Sequence, residues 1–573
     1  MDVVTYALLS GKIKAVSDRV GKYDDIVGVI RVTSAATTMA AIAEKLNEVN
    51  TAGDHVVFDV SALDAGMYLV TIFIGDGYYR IADMVTGYES TGFYNDSDLL
   101  VDIIRSGGST GNHYTFVWDM VNAAGTRLNA AAEIDTDTTN FGHFGAVNEN
   151  YANPFDSIYP WSGRKLCNID IDTYLSLGRG DRITDCITAW EDDANFRYDD
   201  PEGVWVYTPP FFGMSYILGY RRYFDVSDVK TQNNIFYPEQ ITGRWLGCDV
   251  SLTIDGVEKH CNIPTVGMPM ANISIGNQHV YAKNFGASLI DIYTLDASIL
   301  LMIVEYATMN SQTAVGQGAV SVYIENLHPA ANVTDSDTIT IDGLTSAQMA
   351  NFVENAIIDI GTSNAGIQIG RYYINAVSTF GSSVTVTLDR SVTVTTDHFV
   401  CVHGVINVAD AAIGSKSGYI GQNGRCNAYY RGETMWGNKW QYILGAYRQK
   451  DTNHIWIAEA GDTDNYDALD TTHHIDTDLV IPITESGSGG YIMTLGMADG
   501  LSCPPFCTAV GGGSTNPVGD YAYWPAASGG NTVLVLGGHA NLGASAGAFY
   551  GYWNYASGNS SWYSGSRPRL LNP

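Results

Sequence analysis

Residues 521–571 read YAYWPAASGGNTVLVLGGHANLGASAGAFYGYWNYASGNSSWYSGSRPRLL, and as far as Ser566 the stretch holds no Asp, Glu, Lys or Arg. Tyr, Trp, Asn, Ser and Gly stand in place of charge. Tyr and Trp offer broad amphipathic contact area with few rotors to freeze, and Ser, Gly and Asn supply adaptable hydrogen bonds, so this composition points to a recognition surface rather than a catalytic centre. Gly537, Gly538, Gly543, Gly547 and Gly565 with Arg567 read as its frame, setting turns and one anchoring charge. The side chains between them that are expected to meet a ligand are His539, Asn541, Tyr550, Tyr552, Asn554, Ser561, Trp562 and Tyr563. Strand alternation places Tyr550, Tyr552 and Asn554 on one face, while core filling competes with display for Phe549, Trp553 and Trp562.

The rest of the chain sets the context for that surface. A length of 573 residues exceeds one hydrophobic core and predicts roughly three to five domains. With 30 Lys and Arg against 61 Asp and Glu, the formal net charge of -31 repels phosphate backbones and anionic headgroups. Nucleic acid and membrane surfaces are therefore poor partners. Gly at 61, Tyr at 36 and only 16% charged residues point to turn-rich β structure with few long helices. The start, MDVVTYALLSGKIKAV, lacks the basic flank and long apolar run of a signal peptide, and no apolar run reaches a membrane-spanning length. Eight scattered Cys favour buried thiols over a disulfide framework.

Along the chain, Tyr6, Leu9, Ile13, Val16 and Val20 keep a 3-4-3-4 spacing over residues 1–22, which fits a short coiled-coil seam or an amphipathic helix docked on its own domain. Residues 23–112 alternate strands (IVGVIRV, VVFDVSAL, MYLVTIFIG, YYRIADMV) with a helix carrying Met39, Ile42, Leu46 and Val49 on one face, a small α/β domain. Between two aromatic, glycine-rich flanks, 113–325 and 405–573, residues 326–404 change texture to period-two strands with a short helix near Ser346, as an inserted β domain would. The fold class is thus α+β and multidomain, with an irregular domain split by an insertion.

FDSIYPWSGRKLCNID (155–170), LLMIVEYATMNSQTAVGQG (300–318), YRGETMWGNKWQYILG (430–445) and the closing GGHANLGASAGAFYGYW and GSRPRL together resemble phage virion proteins with a C-type-lectin-like fold of the formylglycine-generating-enzyme type. In that group the C-terminal segment faces the ligand, and in some members it is the target of diversity-generating retroelements. The N-terminal TSAATTMAAIAEKLNEVNTAGDHVVFDVSAL and RIADMVTG are similar to the attachment region of head-fibre-like proteins. The resemblance implies a virion adhesin, assembled in the host cytoplasm, that meets phage capsid or tail proteins through its N-terminal region, forms a homotrimer and binds a bacterial surface glycan or protein. It implies no enzyme and no cofactor. In YRGETMWGNKW, Trp436 and Trp440 lie four apart, as on one side of a helical turn, with Gly432 and Gly437 allowing close approach or positive φ. Glu305, in an apolar helical run, reads as a hydrogen-bonded core anchor.

Several motifs invite other chemistry. GASAG at 543–547 matches the nucleophile-elbow pattern around Ser545, but no Asp, Glu or His follows to complete a hydrolase triad. His473 and His474 with Asp476 and Asp478 suggest part of a metal site, although adjacent side chains of an extended segment point apart and a solvated loop is favoured. The acidic runs 191–200 and 461–470 invite a calcium reading; counted from Asp462 the second lacks EF-hand spacing, which leaves an irregular calcium site as the alternative. Cys503 and Cys507 are the one pair that a copper-dependent oxidase of the formylglycine-generating type could use, but their Pro-Pro-Phe spacer departs from that pattern. A purely structural decoration protein and a glycan-cleaving tailspike are the competing functions.

Overall fold

The computed structural model describes residues 26–28, 66–74, 77–86, 103–105, 112–120, 124–129, 153–198, 200–218, 221–230, 234–244, 250–254, 257–261, 271–315 and 324–354. It further describes 356–364, 366–405, 428–437, 439–459, 469, 472–482, 488–525 and 530–571. The protein is multidomain and mostly β-sheet, with few helices. Near the N-terminus, Ile26–Gly28, Gly66–Ile74, Gly77–Thr86 and Ile103–Arg105 pair in chain order as an antiparallel sheet. The expected helices over 1–22 and around Met39, and the strand VVFDVSAL, lie outside the described residues.

The centre of the molecule is the helix Ile292–Tyr306. Its sequence is predominantly apolar, its carboxylates Asp296 and Glu305 are themselves buried, and only Tyr293 escapes full burial. Asp291 caps it by accepting from the Thr294 N–H at 2.8 Å, and Ala307 ends it in the left-handed region at φ 52. The helix lies against strands His113–Asp119 and Arg221–Ser227 of a five-stranded antiparallel sheet and against Trp440–Arg448 of a nine-stranded sheet. One core therefore collects Phe116, Phe155, Trp161 and Phe224 from before the helix and Trp436, Ile443, Leu534, Phe549 and Trp553 from far after it. A further antiparallel sheet pairs the chain's closing strand Pro568–Leu570 with Gln240–Gly243 and Ser288–Leu289.

Two buried carboxylates fasten these parts. Glu305 accepts from Arg431 Nε and Nη2, each at 2.8 Å, from Tyr430 at 2.9 Å and from Asn153 at 2.6 Å, which is the anchoring role expected of it. Glu433 takes Arg164 and Arg567 together, so the anchoring charge foreseen at Arg567 is a fully buried one. Burial pushes the Glu433 carboxyl up, but the charges of Arg567 and Arg164 outweigh it and hold its pKa below the ordinary value.

The motif carrying these groups is not helical. Glu433–Trp436 and Trp440–Arg448 are strands joined by a turn at Gly437, and the four-residue spacing of Trp436 and Trp440 reflects that turn. Gly432 and Gly437 do take positive φ, 88 and 89. Trp436 enters the central core while Trp440 enters a second cluster on the far side of the nine-stranded sheet.

Among the described residues, the strands between Ile324 and Val405 pair only with one another, in a six-stranded antiparallel sheet, and enclose a core of their own, built from Ile339, Ile358, Ile374, Val386 and Val402 among others. A buried, bidentate Arg371–Asp359 pair, at 2.6 and 2.8 Å, links the neighbouring strands Ala356–Gly361 and Gly370–Phe380.

Candidate functional site

The nine-stranded sheet is two-faced because strand side chains alternate. Ile443, Leu534, Leu536, Trp553, Ala522, Trp524 and Ile492 point to the central core. Trp440, Tyr442, Val533, Val535, Tyr521, Tyr523 and Tyr552 belong to the opposite cluster. At one end this second face is covered, by Ile275 and Ala282 of the helix Ile275–Asn284 and by the 556–563 segment, whose Asn559 carbonyl accepts from Tyr442 at 3.0 Å. Towards the other end it opens into a strip of half-buried tyrosines, Tyr491, Tyr521, Tyr523, Tyr552 and Tyr555, with Asn554 exposed.

The rings of the strip hold one another. Tyr523 stacks on Tyr552 at 5.1 Å, Tyr491 meets Tyr521 edge-on at 5.3 Å, and Tyr552 meets Tyr555 edge-on at 5.1 Å. Trp440 backs them, 4.9 Å from Tyr552 and 4.6 Å from Tyr550. Such offset and edge-to-face pairs fix ring positions before any ligand arrives. Gly489, opposite Tyr523 in the register, makes room for them, since a Cβ there would sit 2.4 Å from the Tyr521 ring. Burial raises the pKa of Tyr521 and Tyr552, which keeps both phenols as neutral donors and acceptors.

The eight residues expected to meet a ligand separate into three groups. Tyr552 and Asn554 come together on strand Gly551–Tyr555, Asn554 donating to the Tyr552 hydroxyl at 3.3 Å, and a register shift between Tyr552 and Tyr555 brings Tyr555 to the same cluster. Tyr550 does not join them: it is 4% exposed, wedged against Trp440 and Tyr521, because it precedes the strand in a turn closed by its own N–H on the Gly547 carbonyl. Phe549 and Trp553 fill the core.

The third group faces the six-stranded sheet of 324–405. Glu325 there accepts from Asn541 at 2.8 Å and from the Tyr563 hydroxyl at 3.3 Å, and the His539 ring lies 4.2 Å from that of Tyr563. Burial, with the Lys439 charge adding to it, drives His539 down to about 3, so it is a neutral imidazole at pH 7. Lys439 is itself buried and brought down to about 8, and its ammonium donates to the Trp562 carbonyl at 2.7 Å. Ser561 is half-buried and its hydroxyl accepts from the Tyr563 N–H at 3.1 Å, while its carbonyl accepts from Asn272 at 2.8 Å; Trp562 is half-buried beside it.

The turn that carries the segment is held by its backbone. Ser311 accepts from the Ala548 N–H at 3.1 Å, Asp520 accepts from Phe549 N–H at 2.8 Å, and Gln312 donates to the carbonyls of Gly543 and Ala546. Gly537, Gly538 and Gly543 take the positive φ expected of a frame, and Gly547 has no space for a Cβ, which would lie 2.0 Å from Asp520. Tyr491, Tyr521, Tyr523, Tyr555 and Glu325 were not among the expected contacts. Tyr521 and Tyr523 were signalled by period two in YAYW, whereas Tyr491 and Glu325 arrive from strands distant in sequence.

The other chemistries find these surroundings. Cys503 and Cys507 are buried free thiols, burial raising the first well up and the second to about 12. His474 begins a strand rather than lying in a solvated loop, and it is buried edge-on against Tyr447 at 4.7 Å, so it points away from the half-buried His473. His454 takes its place beside Asp476 and Asp478, the three offering ligand atoms within 4.8 Å of one another. In the run 191–200, Asp192 pairs with Lys165 and Asp193 caps a turn through the Trp190 N–H at 2.8 Å. Most of 461–470 lies outside the described residues. No described helix is long and apolar enough to cross a membrane.

No family model matches this chain, and no curated protein matches it.

Proposed function

We propose that this chain is a phage virion adhesin, a head-fibre or tail-fibre protein whose C-type-lectin-like domain binds a component of the bacterial envelope. The observation that carries the reading is the tyrosine strip: half-buried rings and an exposed amide, prepositioned on a sheet and, apart from Tyr491, set in the stretch 521–566 that has no charged side chain. In this reading residues 113–325 and 405–573 are the two halves of one domain and 326–404 an insertion. That division is supported by the single core shared by both flanks and the separate core between them. Binding without turnover fits Cys503 and Cys507, whose thiols are enclosed where an oxidase would need them reachable. Multiple copies on a virion would raise a modest affinity per strip.

The test is adsorption of the labelled full-length protein to a panel of bacterial strains, beside a variant carrying Tyr523→Ala, Tyr552→Ala and Asn554→Ala. Strain-selective adsorption that disappears in a variant with the wild-type unfolding temperature supports the reading. Equal adsorption by both proteins removes the strip from it.

A further inference from the structure

We infer that the ligand of the tyrosine strip is a neutral, hydroxyl-rich glycan, an inference that rests on the adhesin reading above. The register fixes which side chains share this part of the face: Gly489 and Tyr491 oppose Tyr523 and Tyr521, and Tyr523 pairs with Tyr552, two residues from Asn554. None of these is an acid or base other than a phenol. A ligand carboxylate or phosphate seated there would lose water and gain no cation among the side chains that the register places on this face, which is costly for an ion, and would approach a chain of net charge -31. The nearby lysine, Lys439, is buried and committed to the Trp562 carbonyl.

A cationic ligand is disfavoured by the arrangement of the rings. Aromatic cages that select an ammonium turn several ring faces towards one point. Here Tyr523 and Tyr552 stack with planes 13° apart, so each keeps one outer face and the two outer faces look in opposite directions, and Tyr491 and Tyr555 stand at 85° and 77° to their neighbours, which leaves single flat faces and no convergent cage. At the strip itself an extended peptide finds no free backbone among the described residues, because strand Ser488–Leu495 is paired on both sides, with Tyr521–Trp524 and with Cys507–Val510, and the sheet's open edges lie beyond it. What remains on offer is flat aromatic surface for the C–H face of a sugar ring, bordered by phenol hydroxyls and the Asn554 amide for its equatorial hydroxyls.

The test uses the full-length protein on cells from an adsorbing strain, untreated, oxidised with periodate to cleave vicinal diols, or treated with protease. In parallel, immobilised neutral polysaccharides (mannan, dextran, galactan) and acidic ones (hyaluronan, polygalacturonate) are probed at low and high salt. The expected result is adsorption about tenfold weaker or worse after periodate and unchanged after protease. Binding to at least one neutral polysaccharide should be insensitive to salt and weakened in Asn554→Ala, whose exposed position leaves the fold intact. Adsorption that survives periodate and is lost to protease overturns the glycan assignment and leaves the adhesin reading standing, as does salt-sensitive binding confined to the acidic polymers. Absence of adsorption to any strain together with absence of polysaccharide binding overturns both.

Discussion

Arg431 closes its fork on Glu305, Nε to Oε2 and Nη2 to Oε1 at 2.8 Å each, joining the turn before Glu433 to the last helical turn of Ile292–Tyr306. Both groups are buried, and the remaining capacity of Glu305 is taken by Tyr430 and Asn153. Removing Glu305 leaves the buried Arg431 the partly exposed Asp156 carboxylate, at 3.0 Å, as its counter-charge, so Glu305→Ala should cost about 3 kcal/mol of stability, the low end for breaking a buried pair. Urea unfolding measures this directly. A loss below about 1 kcal/mol, the range of an exposed pair, would contradict the anchoring role.

Asp520 gives stability a pH dependence of known sign. It is fully buried and accepts from Ser311 and the Phe549 N–H; burial raises its pKa well above the ordinary carboxyl value. Below about pH 4 both the folded and unfolded forms hold the proton; as pH rises the unfolded chain ionises first, so this group's contribution is lost progressively up to its raised folded pKa. Asp296, lifted to about 6 by burial, acts in the same direction. Wild type should therefore lose stability relative to Asp520→Asn between pH 4 and pH 8, a comparison that cancels the opposite trend of paired carboxylates such as Glu433. Parallel stability curves for the two proteins would show that Asp520 is not the titrating group.

The fastening of the 543–549 turn predicts where the segment tolerates change. Ser311, Gln312 and Asp520 hold its backbone, not its side chains. Gln312→Ala should thus cost about 1–2 kcal/mol through two lost hydrogen bonds to backbone carbonyls. Asn554→Ser, at an exposed strand position, should stay within about 0.5 kcal/mol of wild type. Thermal unfolding of the two variants side by side tests the contrast, and similar losses from both would refute it.

Much of this arrangement was legible in sequence wherever a local rule sufficed. The apolar run at 300–306 required a buried helix and its lone carboxylate required partners, and both hold in Ile292–Tyr306 and Glu305. Tyr552 and Asn554 do meet, through the Asn554 amide on the Tyr552 hydroxyl, although the register shift that follows Tyr552 breaks strict period two and brings Tyr555 to the same cluster. Tyr550 failed because the strand begins one residue after it, a boundary set by the turn at Gly547 and its fit against Asp520. Trp436 and Trp440 failed because a four-residue spacing is also what a turn between two strands produces. Tyr491 and Glu325 were invisible for another reason: they reach the C-terminal segment through strand pairing and domain contact, which no window of neighbouring residues encodes.

Glu325 marks off one part of the terminal segment by its contacts. It binds Asn541 and Tyr563 from the 324–405 sheet, and the His539 ring packs on Tyr563, so these side chains serve contact between two parts of the same chain. Tyr523 and Tyr552 make no such contact and lie on the open strip. Asn541→Ala and Tyr563→Phe should accordingly leave bacterial adsorption within about twofold of wild type, while faster amide hydrogen exchange appears over 539–546 as the contact loosens. Tyr523→Ala or Tyr552→Ala should weaken adsorption by about tenfold, the loss of about 1.4 kcal/mol typical of an aromatic contact residue, with exchange over 539–546 unchanged. Adsorption that falls with Asn541→Ala and persists with Tyr552→Ala would move the binding surface to the junction with the 324–405 sheet.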